Sequence, residues 1–322
     1  MPRVSVIIPI FNSERYLSEA IRSIRSQGFD DFELILLDDG SEDRSVEIAR
    51  RAVKEDPRVI LVKGEHRGVV YQRNAGVELA KAEFIAMMDA DDIALADRLA
   101  RQVRHLEVHP ECCAVGAAVM RIDEDGLPID EWHLPVHHEE IDEKHMAGQG
   151  GAIVNPSVMM RKSAVIKVGG YRPGYDSSED YDLFLRLAEV GYLANLPEVL
   201  LRYRLHAKSL TFARAVFQRQ MAREALKEAW RRRQRPGPLP APILELRAPS
   251  EEELMWSWAR AAFDAQNFET ARNQARKLLR SRPRELQRWA LFGAACLGPL
   301  AYHLKRVLPY RLGAYRARGG ML

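Results

Sequence analysis

Residues 84–92 read Phe84-Ile85-Ala86-Met87-Met88-Asp89-Ala90-Asp91-Asp92. Five consecutive apolar residues bounded by polar ones fit a short strand buried on both faces. The strand runs directly into three carboxylates, and open α/β sheets place their ligands at the C-terminal ends of central strands. Asp89 and Asp91 stand two apart and suit one divalent cation, because hard cations take carboxylate oxygens and fill the remaining positions with phosphate and water. Asp91 or Asp92 suits equally the cap of a helix beginning near Asp97. An EF-hand is excluded, since the Gly and Glu of that loop are missing at their fixed offsets.

Working back toward the N-terminus, Val59–Val62, Phe32–Leu37 and Val4–Ile10 repeat the pattern of short apolar strands. Helices are expected after Asn12 or Ser13 (Tyr16, Leu17, Ala20, Ile21 and Ile24 at helical spacing), over Asp43–Lys54 and over Val69–Ala80. Alternating strands and helices with short links predict a parallel sheet covered on both faces. Right-handed crossovers then bring Asn12, Asp38-Asp39-Gly40-Ser41 and Asp89–Asp92 to one edge.

Working forward, a helix is expected over Asp97–Val108, a long strand over Cys112–Ile122, a turn at Asp123–Gly126 and a strand over Pro156–Arg161. Among His133, His137, His138 and His145 no pair has metal-site spacing with a carboxylate alongside, and they are expected to be structural or solvated. Gly148-Gln149-Gly150-Gly151 suits a loop covering a substrate or a plain linker. Ser177 or Ser178 is placed to cap a helix whose first turn holds Glu179 and Asp180. Those two acids suit the helix dipole, and one of them equally suits a general base. A last strand, Leu200–Leu205, ends at His206, where Arg204 and Lys208 stand close enough in sequence to make a phosphate-and-metal site.

Charge divides the chain. Residues 1–211 hold 26 Lys and Arg against 36 Asp and Glu, and residues 212–322 hold 22 against 9. The acidic part argues against a nucleic-acid groove, and the basic part suits an anionic surface or partner. Cys112, Cys113 and Cys296 form no CxxC pair, which fits a reducing cytoplasm. The opening Met-Pro-Arg-Val-Ser-Val lacks the pattern of a signal peptide. No run approaches the ~18 apolar residues of a membrane span.

Six blocks in this order and spacing resemble the family 2 glycosyltransferases of the glycosyltransferase A fold. They are Val-Ser-Val-Ile-Ile-Pro-Ile-Phe-Asn at 4–12, Asp-Asp-Gly-Ser at 38–41, Arg-Asn-Ala-Gly at 73–76, Asp-Ala-Asp-Asp at 89–92, Glu-Asp at 179–180 and Arg-Leu-His-Ala-Lys-Ser at 204–209. The resemblance implies a Rossmann-like nucleotide-sugar-binding domain over residues 1–211, with a mixed, mainly parallel sheet. It implies a nucleotide-sugar site from Pro9, Phe11, Asn12, Asp39, Arg73, Asp89 and Lys208, with Phe11 against the base and Asp39 hydrogen-bonded to it. Asp89, Asp91 and His206 would hold Mn2+ or Mg2+, and Asp180, assisted by Glu179, would deprotonate the acceptor. The implied reaction is inverting transfer from a UDP-sugar to a saccharide or lipid-linked acceptor in polysaccharide, lipopolysaccharide or other glycoconjugate synthesis. Processive members carry Gln-x-x-Arg-Trp and transmembrane helices; this sequence has neither, which implies transfer of single sugars. A nucleotidyltransferase would need a Gly-rich, Arg-containing loop where Pro-Ile-Phe-Asn stands. An inactive scaffold acting through the back third is the non-enzymatic alternative.

That back third, 212–322, is expected to be a helical extension. A helix over Phe212–Arg235 leads to a Pro-rich linker at 236–249 and a helical pair resembling a tetratricopeptide repeat at 252–285. In the pair, Ala259, Ala271, Leu278 and Pro283 fall at that repeat's small, apolar and proline positions. One such pair cannot be stable alone and is expected to pack on a neighbour. Residues 286–322 hold six Lys and Arg and no Asp or Glu. They suit a tail lying on an anionic membrane, peripheral on its inner face, or a terminal core helix with a solvated end.

Overall fold

The computed structural model describes residues 1–206, 215–240, 249–281 and 283–307. Lys208 and most of the basic tail beyond 307 lie outside the described residues. Strands β1 (Val4–Ile10), β2 (Phe32–Asp38), β3 (Val59–Lys63) and β4 (Phe84–Met87) are mutually parallel in the order β3-β2-β1-β4. Between them run α1 (Leu17–Arg25), α2 (Ser45–Glu55) and α3 (Val69–Leu79). Side chains of β1 alternate between two cores. Val4, Val6, Ile8 and Ile10 pack with Leu17, Ala20, Ile21 and Ile24, while Ile7 packs on the other face with Val70 and Val77. Each such fully buried aliphatic contributes about 1.5–3 kcal/mol. Pro9 is tolerated in this central strand because β4 pairs only as far as Ile7, so no ladder bond is lost.

Gly76 fixes how closely α3 approaches: a Cβ there would lie 2.5 Å from Ile7 Cγ2. Within the same block, Asn74 exchanges two hydrogen bonds with the backbone of Tyr171, at 2.7 and 2.9 Å. Arg-Asn-Ala-Gly is therefore an anchor that aims Arg73.

The sheet then changes direction and curls. Strand β8 (Met159–Arg161) pairs antiparallel with β4 and β6 (Cys112–Ile122), and β6 pairs in parallel with β9 (Tyr192–Arg204). A two-residue strand, β5 (Ile93–Ala94), leaves the carboxylate loop and joins the far side of β9, with Ile93 opposite Arg202. This closure delivers the end of β9 to the carboxylates. Buried Arg204 donates its backbone N–H to Asp92 Oδ1 (2.9 Å) and its Nε to the Asp91 carbonyl (2.8 Å). Asp92 is thus not a helix cap. It pins β9, and burial pushes its carboxyl well above the usual range, with Asp91 and Asp89 adding to the shift.

Four local expectations are corrected. Neither Asn12 nor Ser13 caps α1, which begins after Tyr16 without a side-chain cap; the Asn12 carboxamide oxygen accepts from Glu42 N (2.9 Å) instead. Ser178 precedes α7 (Glu179–Leu187), but its hydroxyl donates to the Gln218 carbonyl (2.7 Å) rather than capping. Residues 155–157 form a 3-10 turn, so β8 starts only at Met159. Strand β7 (Pro128–Trp132) and the first half of β9 are strands that the apolar pattern does not predict.

Helices α4 (Arg98–Val108), α5 (His138–Met146) and α6 (Lys162–Lys167) complete this part. The extension adds α8 (Ala215–Arg232), α9 (Glu251–Asp264), α10 (Phe268–Ser281), α11 (Leu286–Leu297) and α12 (Pro299–Val307). Helix α8 packs on α7 through Ala225, Leu226 and Ala229 against Tyr181 and Leu185. Helices α9 and α10 pack on β7, where Trp258, Phe263 and Ala271 share a core with Ile129. Thr270 Oγ1 donates to the Pro128 carbonyl (2.6 Å), and Gln274 Nε2 donates to Asp123 Oδ2 (2.9 Å). The helical pair thereby braces the β6–β7 hairpin, whose turn carbonyls at Asp123 and Glu124 accept from Arg204 (both 3.3 Å). No helix among the described residues is long and apolar enough to cross a membrane.

Candidate active site

The loops after β1, β2, β4 and β9 open into one cleft of about 1500 Å3, whose opposite wall is made by α8, the start of α7 and the glycine-rich loop at 148–151. Pro9, Phe11, Asn12, Asp39, Arg73, Asp89, Asp91, Glu179, Asp180 and His206 all line it. The sequence-predicted residues that fall among the described ones therefore converge.

At the β1–β2 end, Phe11 is 46% exposed and stacks on His66, with ring centroids 4.3 Å apart. Asn12, in the left-handed region at φ 48, holds the following loop through its backbone N–H, donated to Ser41 Oγ (3.0 Å). Asp39 is buried and accepts from Arg67 N (2.8 Å), Gly68 N (3.0 Å) and Gln72 Nε2 (2.6 Å), while His66 Nδ1 lies 2.8 Å from its Oδ2. These contacts are long-range, from the loop between β3 and α3. Sequence reading singled out neither His66 nor Gln72, whose only signal is proximity to Gly64 and Gly68.

At the β4 end, buried Arg73 bridges two acids, with a short ion pair to Glu179 and a 3.2 Å contact to Asp89. Burial pushes Asp89 up, against the pull of Arg73. Burial also lifts Glu179 to about 7 and raises Asp180, again opposed by Arg73. Glu179 is buried and held by Arg73, whereas Asp180 is half-buried and forms no salt bridge among the described residues. One oxygen of Asp180 accepts from the N–H of Tyr181 (2.8 Å). His206 Nε2 lies 2.9 Å from Asp91 Oδ2.

Two carboxylates and an imidazole suit Mg2+ or, with its nitrogen ligand, Mn2+. The donor set fits, although among the described residues no three such side chains form a ready metal site, since Asp89 leans on Arg73.

Three of the other histidines expected to be structural or solvated have contacts outside this group. His133 pairs with Glu131 (3.0 Å), and His138 accepts from Leu193 N (3.2 Å) and stacks on Tyr192. His145 is buried between Tyr181 and Phe184, and burial holds its pKa down at about 4. Cys112 and Cys113 are buried free thiols and Cys296 is an exposed one.

Residues 5–169 match the family model Glycosyl transferase family 2. The chain is similar to the O-antigen biosynthesis glycosyltransferase WbnJ of Escherichia coli, 34% identical over 212 residues that cover 64% of this chain and 81% of WbnJ. Two solved structures share the fold. TarS 1–349 of S. aureus in complex with UDP-GlcNAc has a TM-score of 0.56 at 17% identity, over 95% of this chain and 92% of that one. The mannosyltransferase PcManGT of Pyrobaculum calidifontis, in complex with GDP-Man and Mn2+, has a TM-score of 0.54 at 20% identity, over 96% of this chain and 88% of that one. With a family model spanning half its length and the predicted residues gathered in one cleft, the chain belongs to the family 2 glycosyltransferases.

Proposed function

We propose that this glycosyltransferase transfers a single sugar, with inversion, from a uridine diphosphate sugar to an acceptor hydroxyl in the assembly of a polysaccharide or O-antigen-like glycan. The observation that carries the reading is the division of labour between adjacent acids: Glu179 is committed to Arg73, and Asp180 faces the same cleft without a salt bridge among the described residues. Asp180 is then the base that takes the acceptor proton as the hydroxyl oxygen attacks the anomeric carbon. Such a base is worth about 10²–10⁴ in rate. One base, with no second carboxylate assigned to the far face of the sugar, gives direct displacement. Phe11 and Asp39 receive the base of the nucleotide, and Arg73 orients Asp89 and Glu179 around the sugar diphosphate. Asp89, Asp91 and His206 would hold Mn2+ or Mg2+, which when bound offsets the charge of the departing diphosphate. TarS was solved with a uridine donor and PcManGT with a guanosine donor, so the test is a screen of UDP- and GDP-sugars for donor hydrolysis. Turnover of UDP-sugars is expected; turnover confined to GDP-sugars would overturn the uridine assignment.

The same proposal places the enzyme on the cytoplasmic face of an anionic membrane. Leu286 (82% exposed), Trp289, Leu297 and Leu300 (60% exposed) project from α11 and α12 toward solvent, just ahead of the basic tail. Full-length protein is expected to sediment with phosphatidylglycerol vesicles in a salt-sensitive way, and protein lacking 286–322 is not. Each basic residue contributes only ~1 kcal/mol and is screened. Absent or salt-insensitive binding contradicts the placement.

A further inference from the structure

The base-binding end of the cleft is already filled by the chain itself. A carboxylate offers about four acceptor positions. The Asp39 carboxylate has three donors on it, two backbone N–H groups just ahead of α3 and the Gln72 amide, and the His66 ring beside it, with Nδ1 2.8 Å from Oδ2 and 3.3 Å from the Asp39 carbonyl. The Phe11 ring, 46% exposed, is stacked by that same His66 ring at 4.3 Å. Stacked rings keep their centroids about 4.5 Å apart or more, so no third ring fits between these two. His66 therefore makes both contacts assigned above to the nucleotide base, a stack on Phe11 and a ring nitrogen on Asp39.

The loop is shaped for this. Gly40, at φ +80, has His66 N only 3.1 Å from where a Cβ would stand, so a side chain there would crowd the loop off Asp39. The next residue is anchored independently, with the Arg67 guanidinium 3.6 Å from the Tyr71 ring centroid. The His66 side chain, 63% exposed, is held at its ring by Phe11 and Asp39. Of the groups around Asp39 it is the exposed one, since Gln72 is buried and the other two are backbone N–H groups.

We propose that His66 is an internal stand-in for the nucleotide base, and that its ring swings out of the Phe11–Asp39 slot for the donor to bind. The proposal rests on the assignment of that slot to the base. When the competent state is only a fraction of the population, apparent affinity falls by that fraction. His66 thereby weakens nucleotide binding in the resting enzyme and eases product release.

Full-length protein, the His66→Ala variant and the Phe11→Ala variant are titrated calorimetrically with UDP and, in parallel, GDP in the presence of Mn2+. His66→Ala is expected to bind the preferred nucleotide about three- to tenfold more tightly, because the competitor is gone. In the unsubstituted protein, the His66 ring-proton resonances should lose their Phe11 ring-current shift as nucleotide is added. Unchanged or weaker binding by His66→Ala makes the ring a bystander or a clamp and overturns the proposal. Phe11→Ala separates the two levels. It is expected to weaken binding, and unaltered affinity there would remove the base-site assignment and this proposal together, whatever His66→Ala does.

Discussion

The two carboxylate regions of the cleft are built in opposite ways. Asp39, at the end of β2, is surrounded by hydrogen-bond donors and has a ring lodged against it. Asp89, Glu179 and Asp180, at the end of β4 and the start of α7, gather around the guanidinium of Arg73, and Asp91 beside them pairs with His206. The first region is saturated, so a ligand must exchange with a resident group. The second carries more negative charge than its partners offset, and burial pushes Asp89, Glu179 and Asp180 upward. In the proposed mechanism such a cluster takes a cation and supplies the base. One cleft thus pairs a recognition end that is complete in itself with a reaction end that is completed by what binds.

The largest effect is expected where the reaction end is broken. Asp180→Asn removes the proton acceptor with almost no change of shape, so turnover with a competent acceptor should fall by at least about 10². Nucleotide affinity and melting temperature should hardly move. Near-normal turnover would place the base elsewhere.

His145, on the wall of the cleft opposite the carboxylates, supplies a third regime: a buried ring where desolvation outweighs the pull of Asp142, which Arg233 opposes. Its pKa is about 4 when folded, against an ordinary 6.5. The unfolded chain therefore takes up the proton first as pH falls. Stability should be fully present above about pH 6.5 and decline toward pH 4, by about 3 kcal/mol. Denaturant titrations across that range measure the slope, and His145→Gln should flatten it. An identical slope in the variant assigns the acid sensitivity to the carboxylates.

The smallest effect sharpens the contrast between the two ends. Asp39→Asn turns one acceptor oxygen into a donor facing other donors and should cost about 1–2 kcal/mol of stability. Asp180→Asn should cost none. Equal losses in denaturant melts would mean that Asp39 is no more saturated than Asp180.

Much of this was legible in the sequence because strand burial and strand ends are local. Val4–Ile10, Phe32–Leu37, Val59–Val62 and Phe84–Met88 show their apolar runs, and topology alone carries Asp39 and Asp89 to one edge. Pro128–Trp132 was not legible, because only Ile129 of its five residues is buried and its partner surface comes from the distant helices α9 and α10. The first half of β9, with Pro197 and Glu198 inside it, reads as loop and is held by register shifts against β6. Asp91 could be read as a ligand, but the role of Asp92 could not, since its partner Arg204 lies 112 residues away. Arg98 is fully buried in α4, with its guanidinium donating to the Met87 carbonyl (2.8 Å), a position that no charge pattern announces. His66 is one exposed histidine among nine until the loop is seen folded on Asp39.

The proposed function requires that the reaction end take a cation and that the nucleotide diphosphate bind through it. Calorimetric titration of UDP into the full-length protein and into Asp91→Ala, each with Mn2+ and with a chelator, tests it directly. UDP is expected to bind the unsubstituted protein markedly more tightly with Mn2+, and Asp91→Ala should bind weakly under both conditions. Equal affinity with metal and with chelator in the unsubstituted protein would contradict the account.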